Sequence, residues 1–305
     1  MKVLITGGAG FVGSHLAEAC RDRGYQTHVV DNLSTGRREN VPDGVQFWEA
    51  DITSDALVDI VTTLQPDVIF HQAAQSSVPV SLKHPIHDAH VNILGTLKLL
   101  EAARKANVKK VIYASSAAVY GNPASLPIDI DHAIQPSSFY GISKWVPELY
   151  LRVYRELYGL AFTVLRYANI YGPRQAAHGE GGVVAIFVDR VLKGEPLVIH
   201  GDGRQTRDFV YVTDVVEANL AAIERGDGDV LNVGTGIPTS ILELVKTLEE
   251  VVAHPIPFVH ADPRPGDIRY SYFNIKDTIQ KLNWKPRVTL KEGLKETLAR
   301  CGWKA

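Results

Sequence analysis

Tyr140 and Lys144, in the stretch Phe139-Tyr140-Gly141-Ile142-Ser143-Lys144, are the residues whose types and spacing most suggest chemistry. The breaker run Gln135-Pro136-Ser137-Ser138 precedes them, so the pattern predicts the start of a helix. Residues four apart share one helical face, a turn from each other. A free tyrosine titrates near pH ~10 and is a poor base at neutral pH. An ammonium beside it favours the phenolate, and a cationic cofactor ring favours it further. The pair therefore suits a phenol that works as acid and base. The same spacing also occurs as the amphipathic edge of ordinary helices, so the surrounding elements must decide.

The first of these elements is a glycine-rich turn. Gly8, Gly10 and Gly13 fit G-x-G-x-x-G, and Gly7, Gly10 and Gly13 fit G-x-x-G-x-x-G. The apolar strand Lys2–Thr6 comes before it, and a helical pattern from Ser14 comes after it. Such glycines permit a tight turn, close backbone approach to a pyrophosphate, and close packing of helix on strand. The helix start then offers N–H donors to the phosphates. Asp31 ends the second strand, 18 positions past Gly13. A carboxylate there accepts from a ribose diol and repels a 2′-phosphate, so NAD is expected rather than NADP. Arg37 and Arg38 lie further on and read as solvated.

Strands are expected at Gln26–Val30, Val45–Ala50, Asp67–Phe70, Lys109–Ala114 and Ala161–Tyr167, with helices at Asp55–Leu64, about 88–105 and from Tyr140. This alternation predicts an α/β fold, a doubly wound parallel sheet of Rossmann type, with ligands at the strand C-termini. Later segments loosen into Gly-rich loops, helices at Val183–Lys193, Ile241–Val252, Ile275–Leu282 and Leu290–Arg300, and short strands. A cofactor lobe is expected over residues 1–168 with about 207–235. A smaller α/β substrate-binding lobe is expected over about 169–206 with 236–305.

The 305 residues are 45% apolar and 22% charged, an ordinary soluble profile. A net charge of −2 leaves no cationic excess for nucleic acid or an anionic membrane. Cys20 and Cys301, far apart, form no disulfide or metal framework, so a reducing cytoplasm is the expectation. The N-terminus enters the first strand directly, with no room for a signal peptide, and no apolar run reaches spanning length. His84, His87 and His90 are spaced by three, but no Cys or acidic ligand completes a set, and no metal is expected.

The ordered motifs carry a family resemblance. They are Thr6-Gly7-Gly8-Ala9-Gly10-Phe11-Val12-Gly13-Ser14, Asp31-Asn32-Leu33-Ser34-Thr35-Gly36, His71-Gln72-Ala73-Ala74, and Ser115-Ser116-Ala117-Ala118-Val119-Tyr120-Gly121. Tyr140-Gly141-Ile142-Ser143-Lys144, Leu165-Arg166-Tyr167-Ala168-Asn169, Tyr171-Gly172-Pro173-Arg174, Arg207-Asp208-Phe209-Val210-Tyr211-Val212 and Arg264-Pro265-Gly266-Asp267 follow. Over essentially its whole length the chain resembles the extended short-chain dehydrogenases/reductases, and within them the nucleotide-sugar 4-epimerases acting on UDP-glucose and UDP-galactose.

The resemblance implies a catalytic set of Ser116, Tyr140 and Lys144. It implies that NAD is held by Gly7, Gly10, Phe11, Val12, Gly13, Asp31, Asn32, Ser34, Gly36, Asp51, Ile52, Ala73, Ala74, Gln75, Asn92, Ser115, Tyr140, Lys144 and Tyr167. It assigns the UDP-sugar to Ser116, Tyr140, Asn169, Val183, Gln205, Arg207, Arg264 and Asp267, with the two arginines clamping the diphosphate. Related dehydratases carry an Asp-Glu pair after the active-site Ser/Thr, and decarboxylases a Glu at the second position. Ala117 and Ala118 stand there in this chain. Relatives commonly dimerise through two long helices, so a homodimer is expected. Ser271 stands where longer relatives limit room at the sugar C2 substituent, so N-acetylated sugars fit, and uronic acids stay open. An NAD-dependent dehydrogenase and a non-catalytic NAD(H)-binding protein are the readings from other classes.

Overall fold

The structure is a computed structural model that describes residues 1–177, 182–263 and 268–303. The chain opens with β1 (Lys2–Thr6), α1 (Phe11–Asp22), β2 (Gln26–Asp31), β3 (Gln46–Glu49), α2 (Asp55–Leu64) and β4 (Val68–His71). After α3 (Val78–Lys83) a continuous helical run begins. It comprises α4 (Pro85–Ala89), a π turn (His90–Gly95) and α5 (Thr96–Lys105). Next come β5 (Lys110–Ser116), a 3-10 turn (Ala117–Tyr120), α6 (Phe139–Tyr158) and β6 (Ala161–Tyr167). The remaining elements are β7 (Asn169–Tyr171), α7 (Val183–Lys193), β8 (Leu197–His200), β9 (Thr206–Tyr211), α8 (Val212–Ala221), β10 (Asp229–Val233), β11 (Pro238–Ser240), α9 (Ile241–Val252), β12 (Phe258–Ala261), α10 (Lys276–Leu282) and α11 (Leu290–Arg300).

Seven parallel strands form the main sheet in the order β10-β6-β5-β4-β1-β2-β3. The order reverses at β1, which pairs with both β2 and β4. That reversal opens a crevice beyond the strand C-termini, where a doubly wound fold binds its ligands. Side chains alternate across the sheet, as strand geometry requires. Val3, Ile5, Phe70 and Ile112 face a core that holds Leu16 of α1 and Val215 of α8. Leu4, Ile69, Val111 and Phe162 face the opposite core, with Leu57 of α2, Leu99 of α5 and Leu151 of α6. Burying both faces explains why these strands read as unbroken apolar runs.

A smaller lobe gathers the sheets β11-β9-β7 and β12-β8 around a third core drawn from α7, α9 and α11. Because β9 pairs with β7 and β11, the chain returns to the main sheet through α8, which packs on α1, through β10, and later through α10, which packs on β10. The helix expected over 88–105 is interrupted near its start by the π turn. The strands β7, β11 and β12 and the helix α3 go beyond the expected pattern. Among the described residues no helix is long and apolar enough to cross a membrane.

Candidate active site

The crevice at the sheet reversal is lined by the glycine-rich turn, by the ends of β2, β4, β5 and β6, and by the start of α6. Gly7 adopts φ +69°, a left-handed backbone that favours glycine, and a β-carbon there would lie 2.7 Å from the Ala73 backbone nitrogen. A β-carbon on Gly13 would lie 2.1 Å from the Gly7 carbonyl oxygen. The turn therefore closes only with glycine at these points. No side chain caps the start of α1 and no acidic residue occupies its first turn. The amides of that turn are suited to a phosphate, so the residues present fit a dinucleotide pyrophosphate.

At the far end of the cleft, Asp31 is held by two backbone amides. Ala9 donates to one carboxylate oxygen at 2.9 Å and Leu33 to the other at 2.8 Å. Its negative charge faces the cleft beside Asn32 and Ser34, which suits a ribose diol and opposes a 2′-phosphate. The nearby arginines are engaged elsewhere. Arg37 pairs with Glu39 at 3.5 Å, and the Arg38 guanidinium lies 4.6 Å from the centre of the Phe47 ring. Asp51 accepts from Asn32 at 2.7 Å and from the Thr53 amide and hydroxyl, and lines the cleft with Ile52.

Ser116, Tyr140 and Lys144 meet in the middle of the cleft. Ser138 starts α6 by accepting a hydrogen bond from the Gly141 amide at 3.1 Å, which places Tyr140 in the first turn. Ser116 ends β5, and its Oγ accepts from the Ala118 amide at 3.2 Å. The Ser116 hydroxyl also acts on the Tyr140 phenol, favouring its ionised form. Burial outweighs this effect and pushes the Tyr140 pKa above the ordinary tyrosine value, with Asp88 acting in the same direction. The ammonium expected to hold the phenolate stands against a second tyrosine. Lys144 Nζ stands over the Tyr113 ring, 4.7 Å from its centre. Burial lowers the Lys144 pKa to about 8 against the opposing pull of Glu148 and Asp88.

A buried polar network backs this site. Glu148, one turn beyond Lys144 on α6, forms a two-pronged ion pair with Arg166 of β6, at 3.0 and 2.6 Å. Arg166 also donates to the Tyr120 hydroxyl at 2.8 Å, and Tyr120 donates to Asn232 at 2.7 Å. Ser115 donates to Glu148 at 2.6 Å, so its hydroxyl is committed to the network although the residue lines the cleft. Sequence reasoning missed Glu148, Arg166, Tyr113 and Asp88. The four-residue step from Lys144 to Glu148 was the available signal.

The cleft brings together Gly7, Gly10, Phe11, Val12, Gly13, Asp31, Asn32, Ser34, Asp51, Ile52, Ala73, Ala74, Ser115, Ser116, Tyr140, Lys144, Tyr167 and Asn169. Other expected contacts lie off its lining. Gly36 packs instead against Ala9, where a β-carbon would lie 2.9 Å from the Ala9 carbonyl carbon. The Gln75 side chain donates to Asp88 at 2.6 Å and accepts from the Ser77 amide at 2.6 Å, turned into the helices. Asn92 holds the Gln75 backbone at both N–H and C=O and donates to Ser143 on α6 at 2.9 Å, so it braces the site from behind. Gln205 gives its amide to the His200 carbonyl at 2.7 Å, and Arg207 donates to the Thr206 carbonyl at 2.8 Å. Val183 begins α7 and packs towards the core of the smaller lobe. Arg264 and Asp267 lie outside the described residues. Gln175 and Gly182 join the cleft without having been anticipated.

Comparison with known proteins agrees with this geometry. The model of the NAD dependent epimerase/dehydratase family matches residues 3–234. The UDP-glucose 4-epimerase of Mycolicibacterium smegmatis is 43% identical over 305 residues, covering 98% of this chain and 97% of that protein. A crystal structure of the Thermotoga maritima UDP-glucose 4-epimerase with UDP-glucose superposes with a TM-score of 0.97 at 45% identity, covering 99% and 98% of the two chains. The Thermus thermophilus UDP-glucose 4-epimerase in complex with NAD gives 0.93 at 42% identity, covering 98% of each chain. The glycine turn, the carboxylate at the end of β2 and the Ser-Tyr-Lys cluster thus sit in a chain that belongs to the NAD dependent epimerase/dehydratase family.

Proposed function

We propose that this protein is an NAD-dependent isomerase that inverts C4 of a UDP-sugar, with UDP-glucose and UDP-galactose as the interconverted pair. The observation that carries the reading is the convergence of Ser116, Tyr140 and Lys144 on the cleft, with only Ala117 and Ala118 beyond the serine. Bound NAD supplies the acceptor and donor of the C4 hydrogen. Tyr140 takes the proton from the C4 hydroxyl and returns it to the C4 oxygen after the transient 4-keto sugar has turned its opposite face to the cofactor. Ser116 bonds that hydroxyl and shortens the proton path. An elimination or decarboxylation needs a second acid or base, and alanine supplies neither.

Asn169 lines the cleft at the start of the smaller lobe and pairs in register with Phe209 of β9. Arg207 lies two residues before Phe209 on the same strand face, which supports its role at the substrate diphosphate. Ser271 is small and donates its amide to the Thr206 carbonyl at 3.2 Å, which favours room for an N-acetyl group.

An apolar stripe supports a homodimer. Leu149, Val153 and Leu157 recur every four residues along α6 and are 40%, 46% and 66% exposed. The two thiols, Cys20 buried and Cys301 exposed, are free, which suits a reducing compartment such as the cytoplasm.

The test is to release and identify the bound cofactor, then assay a panel of UDP-sugars. Interconversion of glucose- and galactose-type products without net NADH supports the epimerase. Stoichiometric NADH formation supports a dehydrogenase.

A further inference from the structure

We propose that a second cavity, on the sheet face opposite the cofactor cleft, binds the phosphomonoester of a small polyhydroxylated molecule, its phosphate held by Arg152, Arg155 and Arg166. The cavity has a volume of about 570 Å³, within the range of small-molecule sites. It shares no lining residue with the cleft. Arg166 and Tyr167 are successive residues of β6, so their side chains face opposite sides of the sheet. Tyr167 lines the cleft and Arg166 lines the cavity. Nothing in the proposed epimerase reaction uses this cavity, so the two readings stand or fall separately.

Arg166 is 3% exposed and supplies the buried donors of the site. A guanidinium has five N–H groups. Three are committed here, Nε and Nη2 to Glu148 and Nη1 to the Tyr120 hydroxyl. One N–H on each terminal nitrogen is left without a partner among the described residues. Two such groups suit a two-pronged bond to one phosphate. Arg152 and Arg155 follow Glu148 on α6 by four and seven residues, so they continue the flank of the helix that meets Arg166. Among the described residues neither guanidinium forms a hydrogen bond or an ion pair. Arg155 reaches across the backbone of Gly228, where a β-carbon would collide with the guanidinium.

The rest of the lining sets the rest of the ligand. Ile130, Phe162 and Val230 supply apolar wall. Lys281 and Asp229 neutralise each other in an ion pair at 2.6 Å. Asp131 and Glu156 also line the cavity, and among the described residues their carboxylates have no partner. A carboxylate repels a phosphate but accepts from hydroxyl groups. A ligand with a phosphate at one end and hydroxyls at the other satisfies both sets of side chains. A bare phosphate would leave the carboxylates unused and most of the volume unfilled.

The experiment titrates glucose 6-phosphate calorimetrically into the NAD-loaded protein, with inorganic phosphate, glucose and gluconate as comparisons. Wild type should bind glucose 6-phosphate saturably, inorganic phosphate more weakly, and the two phosphate-free compounds not at all. Arg152→Gln and Arg155→Gln should each weaken glucose 6-phosphate binding about tenfold or more, the worth of a charge-assisted hydrogen bond. Both arginines are exposed, so the variants keep the fold, which an unchanged NAD content and unfolding midpoint verify. Asp131→Asn combined with Glu156→Gln should weaken glucose 6-phosphate and leave inorganic phosphate bound no less tightly. Absence of saturable binding, or binding that the arginine variants leave unchanged, would overturn the proposal. Gluconate bound as tightly as glucose 6-phosphate would overturn the phosphate assignment. Inorganic phosphate bound as tightly would overturn the polyhydroxylated part.

Discussion

A β-carbon on Gly141 would lie 2.5 Å from the Ala118 carbonyl oxygen. The start of α6 is thus pressed against the turn that follows Ser116, and Tyr140 and Ser116 share a site because residue 141 has no side chain. Replacing Gly141 with Ala should lift Tyr140 away from Ser116. The expected result is a kcat lowered by about tenfold to a hundredfold with bound NAD retained, the scale of a catalytic group misplaced by about 1 Å. Steady-state kinetics with cofactor quantification checks it.

Asp31 holds the glycine turn through Ala9 and places a negative charge at the end of β2. Asp31→Ser should weaken NAD binding by about tenfold to a hundredfold, the worth of a charge-assisted hydrogen bond of roughly 1.5–3 kcal/mol. It should also narrow the preference for NAD over NADP, because the repulsion of a 2′-phosphate disappears. Fluorescence titrations with both dinucleotides measure this.

Glu148 and Arg166 have side chains that are 1% and 4% exposed. Glu148→Gln leaves the guanidinium buried without its counter-ion and should destabilise the fold by about 3–5 kcal/mol. Replacing both residues with apolar side chains should cost less than the single change. Denaturant unfolding of wild type and the two variants tests the ordering.

His71 is 1% exposed and fixed between two threonines. Thr96 donates its hydroxyl to the Asn92 carbonyl at 2.6 Å, so His71 Nε2 donates to Thr96 at 2.8 Å and Nδ1 accepts from Thr6 at 2.7 Å. Burial in this neutral form lowers the His71 pKa from 6.5 to about 3. Between those values the unfolded chain binds a proton that the folded chain does not, so stability falls as pH drops from 6.5 towards 3. His71→Gln should flatten that part of the stability–pH curve, measured by denaturant unfolding at a series of pH values.

The main sheet was legible because its strands are buried on both faces and its turns carry glycine or aspartate at the reversals. Helices such as Asp55–Leu64 and Ile241–Val252 end where the sequence places them, since apolar periodicity and flanking breakers agree. The strand β12 was not legible. Phe258 and Val259 are exposed and, among the described residues, β12 pairs with β8 alone, so no alternating pattern marks it. In the candidate site, the glycine turn and the Ser-Tyr-Lys set announce themselves by type and spacing. Asp88, Glu148 and Arg166 do not, because a charged residue on a helix or strand gives no sign of being buried until the packing around it is known. Gln75, Asn92 and Gln205 sit in segments close to the expected ones, but their side chains are drawn into partners that a sequence does not display.

The account rests on Tyr140 as the proton-transfer group of a reversible oxidation at one sugar carbon. Its most direct test is the rate of UDP-galactose to UDP-glucose conversion by Tyr140→Phe protein whose NAD content equals that of wild type. The account predicts a fall of about 10²–10⁴-fold, the contribution of a positioned general acid–base, with NAD still bound. Full activity in that variant would contradict it.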